Sequence, residues 1–278
     1  MARQDDLEQW QLRGSAAELY ERYLVPAVTL QWAVDLVSRV GVGGGDRLLD
    51  VACGTGVVAR VAAERVGSGG RVAGLDLNSG MLAVARSFSR VGDLELEWFE
   101  GSALALPFGA LQFGVVVCQF GLQFFPDPLV AVREMRRVLV PGGTVGVSVF
   151  DEIERNPVAH ALSDALDRHL GAGASAAKRS EHALANRETI RSLFGEAGFT
   201  RLRIDSVEKT SHYPSVSAFV EFQLQATPLA AAIDPYDKPQ RERLAALLVD
   251  ELEARLAAFV GEREFAFPQA AHVATAIA

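Results

Sequence analysis

The sequence has few cysteines, no metal-ligand spacing and no long apolar run, and each absence excludes a class of protein. Its two cysteines, Cys53 and Cys118, lie inside apolar segments and form no disulfide framework, so a reducing, cytoplasmic location is expected. No apolar run reaches the roughly 18 residues of a membrane span, and the first residues lack a signal-peptide pattern. Neither a metal-binding motif nor a nucleophile elbow is visible, so we expect no metal.

Positive charge is also scarce. The 27 Lys and Arg residues are outnumbered by 35 Asp and Glu residues, which gives a net charge of −8. This balance disfavours nucleic acid or an anionic membrane as a partner and leaves a small molecule as the expected one. Hydrophobic residues make up 49% of the chain, enough for a sizeable core. The sequence does not determine the oligomeric state, and a homodimer is one of the alternatives.

Residues 48–56 (Leu-Leu-Asp-Val-Ala-Cys-Gly-Thr-Gly) predict a buried strand that ends in an acid and then turns through glycines. Residues 57–64 follow with helical periodicity, and Gly67 stands where such a helix would end. Glycines let the backbone approach a ligand closely, and the free N–H groups at a helix start can bind it. The stretch therefore predicts a nucleotide-binding turn.

Two acids bear on which nucleotide this turn would bind. The pattern Gly54-x-Gly56-x-x-Ala59 also fits the dinucleotide fingerprint, so the glycines alone do not decide. Asp76 lies 76 − 56 = 20 residues after the second glycine, where an acid would hydrogen-bond the two ribose hydroxyls of an adenosine. This contact suits a nicotinamide dinucleotide and S-adenosylmethionine equally. Asp50 separates the two, because a carboxylate before the glycines would repel a pyrophosphate and suits an ammonium group. S-adenosylmethionine is therefore favoured, and a nicotinamide cofactor remains an alternative.

Two later motifs extend the pattern. Residues 100–108 (Glu-Gly-Ser-Ala-Leu-Ala-Leu-Pro-Phe) follow a predicted strand at 94–99. Residues 137–143 (Arg-Val-Leu-Val-Pro-Gly-Gly) precede an apolar strand predicted at 144–150. With the earlier motifs in this order, the chain resembles the class I S-adenosylmethionine-dependent methyltransferases of the small-molecule type, similar to the ubiquinone/menaquinone-methyltransferase-like superfamily. The resemblance covers nearly the whole chain and is strongest over residues 45–150.

The chain departs from that family at two positions. Ser102 and Gly114 stand where the family commonly has an acid. In the family, the acid at the first position accepts a hydrogen bond from the adenine amino group. The oxygen of Ser102 would make a weaker version of this contact, or a backbone carbonyl would take its place. The departure therefore concerns cofactor affinity and not the fold.

The resemblance implies an α/β fold with a doubly wound, Rossmann-like seven-stranded sheet, mostly parallel with an antiparallel last strand, and a helical lid. The expected division is 1–150 for N-terminal helices and the S-adenosylmethionine-binding core, 151–188 and 213–262 for helical lid segments, 189–212 for a core helix and strand, and 263–278 for the last strand. Periodicity predicts helices at 16–24, 27–40, 157–170, 189–197, 215–225 and 237–260, with Pro26 breaking the first pair, and strands at 201–207 and 271–277.

The predicted cofactor site gathers residues from the ends of successive strands and from the N-terminal helices. It consists of Tyr20, Asp50, Ala52, Cys53, Gly54, Gly56, Asp76, Leu77, Met81, Gly101, Ser102, Ala103, Cys118, Gln119 and Gln123. Tyrosines of this region close over the cofactor in similar methyltransferases, which implies Tyr20 or Tyr23. Tyr23, Phe120 and Phe124 are assigned to the substrate pocket, where the neighbouring glutamines would supply two hydrogen-bonding points.

The resemblance implies S-adenosylmethionine-dependent methylation of an O, N or C atom of an apolar small molecule, with S-adenosylhomocysteine as product. An alternative keeps the fold and cofactor but catalyses another reaction, such as a cyclisation. Such transfer needs mainly alignment of the reacting atoms, sometimes with a base. The five histidines are the candidates for that base. His160 is interpreted as part of a solvated face, His212 and His272 are assigned to structure, and His182, in a loop beside Glu181, is the weak candidate that remains. The sequence by itself names no catalytic residue.

Overall fold

The computed structural model describes residues 15–227, 229–233 and 235–278. Its strands are β1 (Arg47–Val51), β2 (Arg71–Asp76), β3 (Arg90–Val91), β4 (Leu94–Glu100), β5 (Phe113–Gln119), β6 (Leu139–Phe150), β7 (Thr200–Tyr213) and β8 (Phe265–Ile277). They form one sheet in the order β3-β4-β2-β1-β5-β6-β8-β7. The first fourteen residues of the predicted N-terminal unit, and positions 228 and 234 of the predicted lid, lie outside the described residues.

The sheet is doubly wound about β1. Parallel pairing leads from β1 through β2 to β4 on one side and through β5 to β6 on the other. The last strand, β8, pairs antiparallel with both β6 and β7, as predicted. The predicted strand number was one too low, because β3 forms a two-residue antiparallel edge with β4. A two-residue strand shows no alternation that a sequence pattern could reveal.

The last two strands of the chain, β7 and β8, are longer than predicted. β7 continues to Tyr213 instead of ending at 207, and β8 begins at Phe265 instead of 271. Their pairing runs unbroken from Arg203–Thr275 to Tyr213–Phe265. The extended antiparallel pair therefore carries aromatic side chains beyond the sheet towards the helices that cover it.

Two helical layers enclose the sheet. The α-helices are α1 (Ser15–Leu19), α2 (Leu30–Arg39), α3 (Val57–Val66), α4 (Ser79–Arg86), α5 (Pro128–Val138), α6 (Pro157–Leu170), α7 (Ala176–Ser180), α8 (Arg187–Glu196), α9 (Val216–Ala226), α10 (Leu229–Ile233) and α11 (Lys238–Arg255). Leu48 belongs to the core cluster that contains Leu36 of α2, whereas Leu49 belongs to the cluster with Met135 of α5. Adjacent strand residues face opposite layers, which explains the continuous apolar runs.

Pro26 does not break the N-terminal helix, contrary to the prediction. A π-helical segment, Tyr20–Thr29, joins α1 to α2 and contains Pro26. The N–H of Leu30 donates to the carbonyl of Val25, five residues earlier, which is the wider turn of a π-helix. This wider turn accommodates the missing N–H of the proline, and the chain continues as one helical rod from Ser15 to Arg39.

The two predicted lid segments pack against each other. Leu162 of α6 and Leu248 of α11 are fully buried in the same core cluster as Leu48 of β1. Asp164 of α6 accepts a hydrogen bond from Arg255 of α11 at 2.9 Å. The segments thus form one helical layer over the C-terminal end of the sheet.

Candidate functional site

A cavity of about 450 Å³ lies at the carboxyl ends of the central strands, beneath the helical layer. Its position is the crevice where doubly wound sheets bind ligands. Its wall is mostly apolar and continues from the glycine turn after β1 to aromatic residues on β7, β8 and α9. One continuous cavity therefore contains both predicted cofactor residues and an apolar compartment beyond them.

The glycine turn folds as the sequence predicts. Gly54 has a φ of +56° and nothing within 4 Å of where a Cβ would stand, so its backbone borders open space. Gly56, with a φ of +85°, immediately precedes α3, and a Cβ there would lie 2.3 Å from the indole of Trp98. The first glycine opens the cavity, while the second is required by packing behind it.

Asp76 holds the turn from the end of β2. Its Oδ2 accepts from the N–H of Gly54 at 2.7 Å, and its Oδ1 accepts from the N–H of Asn78 at 2.8 Å. The N–H of Leu77 also hydrogen-bonds this carboxylate. A carboxylate has about four lone-pair sites, so at least one remains for a ligand hydroxyl. Burial raises the pKa of this carboxyl, which also lies in the cavity wall. Asn78 in turn caps α4 by accepting from the N–H of Met81.

Asp50 lies behind the wall. Its Oδ2 accepts from the N–H of Ala59 at 3.1 Å, and its Oδ1 is buried without a partner among the residues described. Burial raises its pKa to about 8, with a smaller contribution from the charge of Asp76. For the predicted contact, the ammonium group of a ligand in the cavity would have to approach this carboxyl from the other side of the glycine turn.

The loop after β4 forms the floor beside Asp76. Gly101, Ser102 and Ala103, three of the predicted cofactor residues, all line the cavity. The hydroxyl oxygen of Ser102 accepts from the N–H of Leu104 at 3.2 Å, which stabilises the turn. The hydroxyl hydrogen is not used in that bond, so the side chain remains able to contact a ligand.

The N-terminal helix forms the roof. Tyr20 lies in the cavity wall, and the next residue, Glu21, pairs with Arg60 of α3 at 2.7 Å. Burial raises the pKa of Tyr20, as do the charges of Asp76 and other acids, so its hydroxyl stays protonated. The ion pair fixes the roof to the glycine turn and holds Tyr20 over it.

The end of β5 supplies the next part of the wall. Gln119 donates from Nε2 to the carbonyl of Thr29 at 3.1 Å, and its Oε1 is buried without a partner in the described part of the chain. Phe120 follows with a φ of +52° and stacks on Phe150 with ring centroids 4.1 Å apart. Phe124 also lines the cavity. The end of β5 therefore places the amide of Gln119 next to the aromatic part of the cavity wall.

Other predicted residues lie outside the wall. Tyr23 is 42% exposed on the outer side of the helical rod, with the guanidinium of Arg22 over its ring. Cys53, Cys118 and Gln123 are buried behind the wall, and so is Gly56. Ala52, Leu77 and Met81 do line it. The sequence located the loops correctly but did not show which side chain of each loop points inward.

His182 also lies outside the wall. Its Nδ1 is 2.6 Å from the carbonyl oxygen of Asp151, so the N–H of the neutral ring is at Nδ1. Its Nε2 is buried without a partner among the described residues, and burial lowers its pKa. The ring packs 5.6 Å from that of Phe150, which separates it from the cavity.

Sequence reasoning missed the far end of the cavity. Its residues are Phe150, Lys178, Glu181, Tyr213, Phe219, Phe222, Gln223 and Phe267. Tyr213 and Phe267 have nearly parallel rings, 7° apart, with centroids separated by 6.0 Å. The alternation of Phe265 and Phe267 was a signal of strand, but its partner lies more than fifty residues earlier on β7. A pattern within one segment cannot show such a pairing.

The described residues bring together no group of three or more His, Cys, Asp or Glu side chains that could hold a metal ion. Within the same part of the chain, no helix is both long and apolar enough to cross a bilayer.

Comparison with known proteins gives a family and named relatives. The model of the ubiE/COQ5 methyltransferase family matches residues 28–210. The chain is 40% identical over 125 residues to the chloroplast 2-phytyl-1,4-beta-naphthoquinone methyltransferase of Arabidopsis thaliana, covering 44% of this chain and 48% of that one. It is 33% identical over 192 residues to the 2-phytyl-1,4-naphtoquinone methyltransferase of Thermosynechococcus vestitus, covering 66% and 81%. The chain thus spans about half the length of the first relative and most of the second.

Solved structures support the fold. Phosphoethanolamine N-methyltransferase 2 of Haemonchus contortus in complex with S-adenosyl-L-methionine superposes with a TM-score of 0.60 at 19% identity, covering all of this chain and 60% of that one. The [4+2]-cyclase SpnF gives 0.55 at 23% identity, covering 89% and 80%. At these identities the likeness concerns the architecture alone. The family model matches well over half of the chain, including the glycine turn and Asp76, and the protein belongs to the ubiE/COQ5 methyltransferase family.

Proposed function

We propose that the protein transfers a methyl group from S-adenosylmethionine to an O, N or C atom of an apolar, ring-containing small molecule. One observation carries this proposal: the glycine turn with Asp76 and the aromatic compartment of Phe120 and Phe267 share a single cavity. Transfer requires that donor and acceptor meet in one enclosed space from which water is displaced.

The residues at the first end of the cavity fit S-adenosylmethionine. Gly54 leaves room that a side chain would fill, and the carboxylate of Asp76 lies in the cavity wall where a ribose hydroxyl can donate to it. The unpartnered Oδ1 of Asp50 fits a ligand that brings positive charge. When bound, the cofactor would supply a methyl group on a positively charged sulfur, which needs no metal. The floor of Gly101, Ser102 and Ala103 would hold the adenine.

The residues at the other end fit a flat, apolar acceptor. The stacked pair Phe120 and Phe150 and the parallel pair Tyr213 and Phe267 form two aromatic walls. Rings prefer to stack or meet edge to face with such walls. Naphthoquinone-like rings are the first class to test, because the relatives carry naphthoquinones in their names. The acidic net charge supports a small molecule over nucleic acid as the partner.

Two measurements test the proposal. Calorimetric titration with S-adenosylmethionine and NAD in parallel should give binding of the first alone; binding of NAD alone would contradict it. Methyl-labelled S-adenosylmethionine is then incubated with a panel of phenols, amines and hydroxyquinones. Label in a product with equimolar S-adenosylhomocysteine supports transfer. Conversion of an acceptor while S-adenosylmethionine stays intact would instead support a non-methylating reaction such as cyclisation.

Location and assembly are separate proposals. A cytoplasmic location is a prediction from the cysteine content, and fractionation of expressing cells tests it. Light scattering would determine whether the protein is a monomer or a homodimer.

A further inference from the structure

A single ion pair interrupts the apolar far end of the cavity. Among the described residues of the wall, the formally charged ones are Asp76 at the cofactor end and Lys178 and Glu181 at the other. The ammonium of Lys178 donates to Oε2 of Glu181 at 2.8 Å. Only 11% of the lysine side chain and 16% of the glutamate side chain are exposed. Two charges thus stand in a compartment otherwise lined by rings and neutral groups.

A largely buried ion pair is weak evidence for a structural role, because removing two charges from water costs free energy that their mutual attraction only roughly offsets. The ammonium of Lys178 has three N–H donors, and Glu181 accepts one of them. Donors of a buried cation that lines a cavity can bind an anionic group of a ligand.

The pair lies near two tyrosines of the cavity wall. Glu181 is near enough to both Tyr20 and Tyr213 for its charge to contribute to raising the pKa of each hydroxyl, although burial is the larger cause. The charge of Asp76, on the cofactor side, also raises the pKa of Tyr20. Three elements, the helical rod, β7 and the loop after α7, therefore converge around Glu181.

The neighbouring titratable groups are poor proton acceptors. Both tyrosines stay protonated, because their pKa values are raised. His182 lies behind Phe150, with its Nδ1–H committed to the carbonyl of Asp151. This leaves the carboxylate of Glu181 as the accessible base of the far compartment.

We propose that Lys178 and Glu181 bind the ionisable hydroxyl of a planar aromatic acceptor. The O–H bond of the acceptor breaks, its proton goes to the Glu181 carboxylate, and the ammonium of Lys178 pairs with the oxyanion that remains. An aromatic oxyanion is a stronger nucleophile than the neutral ring at oxygen and at the adjacent carbon. The acceptor class is thus narrowed to phenols and hydroxyquinones. This inference rests on the proposed function.

The experiment uses the full chain and para-nitrophenol, whose anion absorbs visible light. Its ionisation is titrated by absorbance when bound to the wild-type protein, with nitrobenzene as the probe that lacks a hydroxyl. An opposite charge within a few ångströms lowers the pKa of an acid by about 1–3 units, so the bound probe should ionise at lower pH than the free one. The Lys178→Met variant should lose this shift yet bind nitrobenzene unchanged, and Lys178→Arg should keep it.

Two further variants sharpen the test. Lys238→Met removes a surface lysine that pairs with Glu242, and it should leave the titration as in the wild type. Glu181→Gln should bind the anion at least as tightly as the wild type, because the lysine loses its competing partner. If the Lys178→Met protein does not fold, Lys178→Gln and Lys178→Arg provide the same comparison.

The outcomes distinguish this inference from the proposed function. An equal shift in wild type and Lys178→Met, or no binding of para-nitrophenol by the wild type, would overturn the inference. The same samples are titrated with S-adenosylmethionine. If the wild type binds S-adenosylmethionine but does not shift the pKa of para-nitrophenol, only the ion-pair subsite is rejected. If the wild type does not bind S-adenosylmethionine, the proposed function is rejected.

Discussion

The carboxyl group of Asp50 accepts a hydrogen bond from the N–H of Ala59 at 3.1 Å, which joins the end of β1 to the first turn of α3. Its second oxygen is buried with no partner in the described part of the chain. Burial raises the pKa of this group to about 8, so the acid is largely protonated at neutral pH when no ligand is present. A cation nearby would reverse that preference.

The first prediction concerns stability. In the unfolded chain Asp50 ionises near pH 4, whereas in the folded protein it retains its proton to about pH 8. Because the folded state binds more protons between these values, this group makes the free energy of unfolding fall as pH rises, by at most about 1.4 kcal/mol per pH unit. Asp50→Asn should flatten that fall in denaturant titrations, while Asn at the exposed Asp250 should not. Equal slopes in all three proteins would contradict the argument.

The second prediction concerns binding. If the ammonium of S-adenosylmethionine lies near Asp50, binding ionises the carboxyl and releases a proton. Affinity should then rise from pH 6 to pH 8, by up to roughly tenfold per unit. Calorimetry in buffers of different ionisation enthalpy measures the proton release directly. Asp50→Asn should abolish it. Binding without release in the wild type would place the ammonium elsewhere.

The third prediction contrasts two glycines of one turn. A methyl group at Gly56 would collide with Trp98, so Gly56→Ala should lower the free energy of unfolding by about 1–3 kcal/mol. At Gly54 a methyl group meets nothing, and the cost is mainly the left-handed backbone, on the order of 1 kcal/mol. Gly54→Ala should instead weaken S-adenosylmethionine binding, since it occupies the ligand space. The reverse pattern in unfolding and calorimetric titrations would reject this division of roles.

The fourth prediction concerns Asp76. Asp76→Asn preserves its shape but removes the charge that strengthens hydrogen bonds to ribose hydroxyls. The loss of a charge-assisted bond, about 1.5–3 kcal/mol, should weaken S-adenosylmethionine binding roughly tenfold to a hundredfold. Asp127→Asn alters an acid that caps α5 and is not part of the cavity wall, so it serves as the control. Unchanged affinity in a folded Asp76→Asn protein would remove this residue from the site.

How much could be predicted depended on the range of the interactions. Signals within one segment predicted helix limits correctly: α6 begins at Pro157 and ends just before Gly171, as the sequence indicated. The glycine turn and Asp76 also stand where their spacing indicated. By contrast, Tyr213 and Phe267 meet only through the pairing of β7 with β8. Strand registers between distant segments leave no trace in a single sequence.

Charges at the cavity were missed for a related reason. Lys178 and Glu181 lie in a stretch whose composition indicates a loop, where charged residues are normally solvated. Their burial is a tertiary effect, since Glu181 lies near Tyr20 of the helical rod and Tyr213 of β7. The same context makes Tyr20 line the cavity while Tyr23, three residues on, faces outward. Helical periodicity separates such positions only when the direction of the core is known.

The last prediction concerns motion of the helical layer. Asp164 of α6 accepts hydrogen bonds from Arg179 and from Arg255, both at 2.9 Å, and so links three parts of the layer. These partly exposed ion pairs contribute modestly, about 0.5–1 kcal/mol in a network. Asp164→Asn should therefore speed hydrogen exchange in α6 and α11 about twofold to fivefold, with the amides of β1 and β5 unchanged.

Ligands should act in the opposite direction. S-adenosylmethionine with an acceptor would contact residues of α9 and the loop after α7, so exchange in residues 151–188 and 213–262 should slow more than in the sheet. Asp250→Asn, on the outer side of α11, is the matched control. Arg255 and Arg179 also lower the pKa of Asp164, so the stabilising link should be lost as pH falls through that depressed pKa. Exchange of the layer as slow as that of the central strands, and insensitive to ligand, would show a rigid second layer instead of a lid.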